Sequence, residues 1–245
     1  MALAESPFRV AHRGEWPGPI TFRRGWSRAD ARPWNDQSTE ASLRLVRGGS
    51  VFLHACTRHL AELGAASILS PPLPASARGA WSEAGYHEYL SLALMRKSLD
   101  TSLACPDHLV VEANETTIDE LLRIDSCAFS EFWRFDEHGL REAIEATGRS
   151  SILIIRDGDA APAGFAVVGF GSAISYLQRV AVAPRWQGKG MGRSLVRVAA
   201  RKARAAGAQV MLLNTQYDNV SAISLYESEG FVRLPESLAL LRYDT

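Results

Sequence analysis

The chain has 245 residues, of which 47% are hydrophobic and 22% charged, a balance that suits a folded globular protein and excludes a disordered or fibrous one. Lys plus Arg and Asp plus Glu are both 27, so no global field draws the chain to nucleic acid or an anionic membrane, and neither is expected as a partner. Three scattered cysteines, Cys56, Cys105 and Cys127, make no disulfide framework, and neither a signal-like amino terminus nor an apolar run of the ~20 residues that spans a bilayer is present; a soluble cytoplasmic protein, monomer or homodimer, is the expectation.

Regular signals are sparse in the first hundred residues. Residues 14–19 and 32–35 are turn-rich, and residues 69–74 contain Pro71, Pro72 and Pro74. A helix is expected near residues 51–63. Its His54, Cys56 and His59 form the densest group of potential metal ligands. Residues two or five apart share a helix face poorly, and no second ligand pair follows at a finger-like spacing, so no metal is expected.

The pattern breaks at residues 101–107, where Ser102, Pro106 and Asp107 precede a new strand at 109–112. Thr116 is expected to cap a helix over residues 118–128, with Ile118, Leu121, Leu122 and Ile124 turned inward. Asp136 opens a second helix through Leu140 and Ile144, ended by Gly148. The apolar run at 151–155 suits a buried strand; Asp157, Gly158 and Asp159 make the turn, and 163–171 returns as its hairpin partner. A strand at 175–182, an amphipathic helix at 190–206 with Met191, Leu195, Val198 and Ala199 as its apolar stripe, a strand at 210–213, a helix at 220–229 and a closing strand at 237–242 complete the order β-α-α-β-β-β-α-β-α-β. This is an α/β chain with a mixed sheet and helices on its faces.

The two halves echo each other in order. Ala61-Glu-Leu-Gly-Ala65 resembles Ala205-Ala-Gly-Ala208, Glu83-Ala-Gly-Tyr86 resembles Glu227-Ser-Glu-Gly-Phe231, and Ser91-Leu-Ala-Leu-Met-Arg96 nearly duplicates Ser237-Leu-Ala-Leu-Leu-Arg242. A decayed duplication and two unrelated α/β segments are both compatible with matches this short.

The strongest chemical signal is the strand Gln178-Arg-Val-Ala-Val182 followed by Ala183-Pro-Arg-Trp-Gln-Gly-Lys-Gly-Met-Gly192 and a long helix. Gly188, Gly190 and Gly192 remove side chains where a phosphate must approach the backbone, and amide N–H groups at a helix amino end then meet the anion. The Rossmann fingerprint needs Gly-x-Gly-x-x-Gly and an acid about twenty residues on; here the third glycine comes too early and no acid follows until Asp218. A Walker loop needs Gly-Lys-Ser/Thr after a four-residue gap, which is absent.

Gln187, Gly190 and Gly192 resemble the fixed positions of the acetyl-CoA signature Gln/Arg-x-x-Gly-x-Gly/Ala of the GNAT superfamily of N-acetyltransferases. A second signature of that family is matched by Asn219-Val-Ser-Ala222-Ile-Ser-Leu225-Tyr226-Glu-Ser-Glu-Gly230-Phe231, and together the two cover the family's fold from about residue 109 to 243. The resemblance implies acetyl-CoA as cofactor. Its pantetheine arm would lie along the backbone of Val180, Ala181 and Val182, its pyrophosphate on the amides of Gln187, Gly188, Lys189, Gly190, Met191, Gly192 and Arg193, with Asn219, Ala222 and Tyr226 as further contacts. It also implies direct attack of a neutral amine on the thioester, with Tyr226 protonating the departing thiolate; a phenol can donate that proton at neutral pH, although a core tyrosine would look the same in sequence.

The general base is not given by the motifs. Several GNAT members place a glutamate on the strand before the second signature, where this chain has Leu213-Asn214-Thr215. Glu131, Asp136 and Glu137 are the replacements considered, with Glu131 the chosen candidate, and Tyr176 is a possible water organiser. The segment containing Phe129, Phe132, Trp133 and Phe135 is expected either to wall the acceptor site or to pack on the sheet. It is similar to a loop of ribosomal-protein N-terminal acetyltransferases, which implies a peptide amino terminus as acceptor; a small-molecule amine is equally compatible.

The helix beginning near Arg185 carries Lys189, Arg193, Arg197, Arg201, Lys202 and Arg204 and no acid. Its early members are expected to attract the phosphates of CoA, and its later ones to form a solvated helix end. Before the helix of the first half stands only Val46-Arg-Gly-Gly-Ser50, and Trp81 holds the place of Tyr226. Residues 1–106 are therefore expected to form a degenerate, partial GNAT-like domain and 107–245 a complete one, as in tandem GNAT proteins such as mycothiol synthase. The expected function is an N-acetyltransferase acting on a primary amine in a ternary complex; the alternative is an inactive acetyl-CoA-binding sensor or scaffold.

Overall fold

In the computed structural model, residues 10–35, 39–113, 117–156, 158 and 161–245 are described. Short polar–apolar alternations early in the chain form β1 (Ala11–Arg13), β2 (Ile20–Arg24), β3 (Ser27–Pro33) and β4 (Glu40–Arg47), paired antiparallel in sequence order. The period of two is visible in β2, where Ile20 and Phe22 are buried and Arg23 is exposed. Helix α1 (Ser50–Glu62) then carries the chain over to β5 (Ser67–Leu69), which pairs parallel with β4. A parallel neighbour requires such a crossover. A short helix α2 (Gly79–Glu83) leads into β6 (His87–Ser98).

The second run of elements is β7 (Val110–Glu112), α3 (Ile118–Ala128), α4 (Glu137–Glu145), β8 (Arg149–Arg156), β9 (Pro162–Phe170), β10 (Ile174–Val182), α5 (Met191–Ala205), β11 (Val210–Gln216), α6 (Val220–Ser228) and β12 (Val232–Asp244). The expected mixed sheet with helices is present. Strands β7 to β10 pair antiparallel in order, and β10 pairs parallel with β11 across α5. Strand β9 is buried along nearly its whole length because both of its faces are covered, which is why it reads as an unbroken apolar run. On one face Leu195, Val196 and Ala199 of α5 join Leu153, Ile155 and Val168 in one core; on the other Leu121 of α3 and Leu140 of α4 join Ile154, Phe165 and Val167.

Packing divides the chain into two units, one formed by the residues up to Ala93 with Glu236–Thr245, the other by Leu94–Pro235. The division falls inside β6 and β12, and not at residue 106. The reason is visible in the cores: Met95, Leu99 and Leu103 precede residue 106 but are buried with Leu195 and Val196, while Ala239 and Leu241 are buried with Phe22, Leu43 and Phe52.

Several local expectations shift slightly. Thr116 lies outside the described residues; the cap of α3 is Thr117, whose hydroxyl accepts from the amide of Glu120 while the Glu120 carboxylate accepts from the amide of Thr117. Asp157 and Asp159 of the hairpin turn also lie outside them, and Gly158 sits there with φ +61°. The sequence echoes correspond to repeated geometry. The amide of Tyr86 donates to the carbonyl of Trp81 (3.0 Å) and that of Phe231 to Tyr226 (2.9 Å), each beside a left-handed glycine, Gly85 and Gly230. The ends of α1 and α5 match likewise, with Ala65 to Leu60 and Ala208 to Ala203, both at 3.0 Å. At His54, Cys56 and His59, His59 Nε2 instead faces His12 Nδ1 at 3.0 Å, Cys56 is buried, and no metal-holding group occurs among the described residues.

Candidate active site

Strand β10 creates the site by two irregularities. The first is a bulge at Gln178: Leu177 pairs with Val168, but Arg179 pairs with the next residue, Val167. Residues 177 and 179 would share a face in a regular strand; the extra residue reverses this. Leu177 accordingly enters the core under α5, while Arg179 reaches Asp125 of α3 on the other face.

The second irregularity is a parting of strands. The parallel register of β10 and β11 runs only over Ile174, Ser175 and Tyr176, opposite Val210, Met211 and Leu212. Beyond it β10 keeps its β9 neighbour. The amide of Ala183 donates to Ala163 of that chain segment (2.9 Å), so by alternation Ala181 also turns its backbone to β9, and Val180 and Val182 turn theirs to the open side. Gln187 Nε2 donates to the Val182 carbonyl at 2.9 Å from that open side, tying the glycine loop to the strand.

That loop enters α5 through Gly188 (φ +74°) and Gly190 (φ +82°), the latter being the helix cap. No side chain caps α5, and its first helical bond runs from Ser194 to Gly190. The amides of Met191, Gly192 and Arg193 therefore stand ahead of the hydrogen-bond ladder, as an anion-binding helix start requires. A Cβ at Gly192 would stand 3.4 Å from Leu225, so the glycine also brings α5 close to α6.

These elements enclose a cavity of about 440 Å³. Its walls are Val180, Ala181, Val182, Gln187, Gly188, Gly190, Gly192 and Arg193 from the strand and loop, Asn219, Ser221, Ala222, Leu225 and Tyr226 from α6, and Ala128 and Phe129 from the end of α3. Of the residues singled out from sequence, Lys189, Met191 and Glu131 do not line it. Met191 is buried in the core, and Lys189 turns its ammonium over the Trp186 ring at 4.5 Å. The Lys189 carbonyl accepts from His108 Nε2 at 2.8 Å. Glu131 is exposed and pairs with Arg134 at 3.5 Å. Asp136 is committed as the cap of α4, accepting from the amide of Gly139 at 2.6 Å, and Glu137 pairs with Arg141. Tyr176 is also outside the lining.

Tyr226 is buried against Phe231, with ring centroids 5.7 Å apart. Burial pushes its phenol up to about 12, opposed by the positive charge of Arg179, so it keeps its proton at neutral pH. Asn219 caps α6, its Oδ1 accepting from the amide of Ala222 at 3.2 Å. Arg193 lines the cavity while pairing at 3.1 Å with Glu229, whose side chain is 8% exposed. Arg201 and Arg204, late on α5, are exposed as expected of a solvated helix end, yet the ridge also takes partners. Arg197 donates to the carbonyl of Cys105 and to Asp107, both at 2.9 Å, Arg201 to Leu103 and Arg204 to Thr101, so the ridge binds the segment that precedes β7.

Of the four aromatic residues between α3 and α4, Phe129 alone lines the cavity. Phe129 and Phe135 hold the Arg179 guanidinium between their rings, and Phe132 meets Trp133 edge-on at 4.9 Å. Arg179 and Asp125 were not singled out in the sequence. An arginine placed between apolar strand residues and an aspartate on the apolar side of a helix were the available signals.

Residues 118–231 match the Acetyltransferase (GNAT) family. A mycothiol acetyltransferase from Renibacterium salmoninarum is 32% identical over 122 residues, covering 50% of this chain and 33% of that protein. One from Saccharopolyspora erythraea is 30% identical over 154 residues, or 57% and 50%. A streptothricin acetyltransferase from Streptomyces lavendulae is 38% identical over 92 residues, or 37% and 48%. The chain thus spans half or less of the length of these curated relatives. Among solved structures, a tandem GNAT protein from the clavulanic acid biosynthesis pathway superposes with a TM-score of 0.63 at 14% identity, covering 92% of this chain and 82% of that one. A GCN5-related N-acetyltransferase from Sphaerobacter thermophilus gives 0.56 at 16%, covering 93% and 81%. These two likenesses are of fold. Family match, motifs and fold agree that residues 118–231 form a GNAT acetyltransferase domain.

Proposed function

We propose that the chain is an acyltransferase that moves an acetyl group from acetyl-CoA to a primary amine, a peptide amino terminus or a small-molecule amine, by direct attack in a ternary complex. The observation that carries this reading is the meeting of four features on one cavity: the open edge of β10, the glycine loop at the start of α5, Asn219 and Tyr226. The residues fit acetyl-CoA. Unpaired strand edge suits an amide-bearing pantetheine arm, the uncapped helix start suits a pyrophosphate, and the volume lies within the range of small-molecule sites. Bound there, acetyl-CoA supplies an activated thioester carbonyl and a thiolate leaving group.

In this reading Val180 and Val182 hold the arm by their backbone, the amides from Gln187 to Arg193 hold the phosphates, and Tyr226 keeps a proton ready inside the cavity. Lys189 and Met191 contribute main chain only, since their side chains point elsewhere. Among the described residues no carboxylate lines the cavity, so in this reading proton removal from the amine runs through water, with Glu131 a remote acceptor. The same observation favours the second reading, a non-catalytic acetyl-CoA sensor. Residues 1–106 are proposed as the degenerate half of a duplicated GNAT chain, supported by the matched helix ends and by Trp81 in the place of Tyr226.

The test is a melting curve with acetyl-CoA, followed by thiol release with an alanine-initiated tetrapeptide, glucosamine and lysine as acceptors. Ligand at 100 times Kd is expected to stabilise the protein by about 2.7 kcal/mol, and one amine to release CoA. Stabilisation without turnover on any amine selects the sensor; no stabilisation sinks both readings.

A further inference from the structure

Arg179 and Asp125 form a buried ion pair with every feature of a built joint. Asp125 is 0% exposed and the Arg179 side chain 9%. The guanidinium is held in a fork, Nε to Oδ2 at 2.7 Å and Nη2 to Oδ1 at 2.8 Å. Both partners then reach into the chain between α3 and α4. Arg179 Nη2 donates to the Trp133 carbonyl at 2.7 Å, and Asp125 Oδ1 accepts from the amide of Phe135 at 2.7 Å. The flat cation lies 3.4 Å from the Phe129 ring centroid and 3.8 Å from that of Phe135. One strand residue thus fixes both ends of the segment 129–135 and stacks on the ring that walls the cavity.

Much simpler residues would fill this volume. Two charges taken out of water are an expensive way to pack a sheet against a helix, and apolar replacements of such pairs are often as stable. The pair does supply something packing cannot: direction. A guanidinium fork in one plane sets the position of a carbonyl, an amide and two rings at once. Arg179 is delivered to this face only by the bulge at Gln178, and it is adjacent in sequence to Val180 on the open edge.

Resting on the acyltransferase reading, the geometry points to Arg179 as a positioning residue that, locked by Asp125, holds Phe129 and the segment 129–135 as the acceptor-side wall of the cavity and thereby sets amine binding. Its charge also opposes the rise of the Tyr226 phenol, which places the cation electrostatically near the proposed acid.

The test uses the full chain with both charges removed, Asp125→Leu with Arg179→Met, so that no unpaired charge remains to unfold it, alongside Arg179→Lys, which keeps the charge and loses the fork. Acetyl-CoA binding is measured by calorimetry, amide exchange over 129–135 by mass spectrometry, and steady-state kinetics with the alanine-initiated tetrapeptide, glucosamine and lysine. Expected for the double variant are a melting temperature near the parent's, acetyl-CoA affinity within twofold, faster exchange confined to 129–135, and a KM for the amine raised at least tenfold with a smaller change in kcat. Arg179→Lys should recover less than half of the loss. A double variant that melts like the parent with unchanged exchange and amine KM overturns the inference while leaving the acyltransferase reading intact. Equal losses in acetyl-CoA affinity and amine KM overturn it too, because the role would then be general support. Parent protein that binds acetyl-CoA but acetylates none of the amines sinks the underlying reading, and the acceptor role with it.

Discussion

Tyr226 and Gly190 illustrate what single residues contribute to the site. Burial holds the Tyr226 phenol near 12, so it stays protonated across the working range, and its removal should change chemistry more than stability. Tyr226→Phe is expected to lower kcat by about 100-fold or more while leaving acetyl-CoA affinity and the melting temperature close to the parent's, as general-acid contributions of this size do. Activity that survives the substitution would assign the proton to water. Gly190 matters through its backbone. At φ +82°, with a would-be Cβ 3.4 Å from the His108 ring, an alanine there is expected to cost about 1–2 kcal/mol in denaturant unfolding and to weaken acetyl-CoA binding. The glycines were readable because a phosphate-binding loop needs bare backbone at these positions, and Gly188 and Gly190 also hold left-handed angles. Glu131 could not be placed from sequence for the opposite reason: a carboxylate in a loop says nothing about where that loop points it, and its side chain is 76% exposed.

At the scale of elements, the basic ridge of α5 is the case where periodicity gave the right face but not the protein groups it meets. Arg193, Arg197 and Arg201 do align, but their acceptors are Glu229, Asp107 and main-chain carbonyls from 103 to 105, groups too distant in sequence for any spacing rule to connect. Arg197→Ala is expected to destabilise the fold by about 1–2 kcal/mol and to speed amide exchange over residues 101–107, with little effect on acetyl-CoA affinity. A loss of affinity matching that of a substitution in the glycine loop would return Arg197 to the cofactor. Helices α3 and α5 and strands β8 to β10 were legible because caps and apolar periods are local. The bulge at Gln178 was not, because it is defined by the register of a partner strand.

For the molecule as a whole, three buried acids favour the neutral side of the pH scale. Burial lifts Cys56 from 9.0 to about 12, lifts Tyr226 from 10.0 to about 12, and raises Tyr86 further. In each the unfolded chain loses its proton first, so stability is complete below about pH 9 and falls as pH rises toward 12. Denaturant titrations at pH 7.5, 9.5 and 10.5 should show a falling midpoint, and Cys56→Ala should remove the part that begins near 9; a midpoint flat to 10.5 would refute the assignment. The repeated helix ends were visible in sequence as two of the three short echoes, whereas the division inside β6 and β12 was hidden because it depends on which core each strand end enters. That division has a consequence during synthesis. Strand β5 waits for Arg242, Tyr243 and Asp244 as its antiparallel neighbours, so the unit that leaves the ribosome first is the one that finishes last. At about 5–20 residues per second, its exposed β5 edge must persist for roughly ten seconds to half a minute while the intervening chain is made, a window in which a holding chaperone would find its substrate.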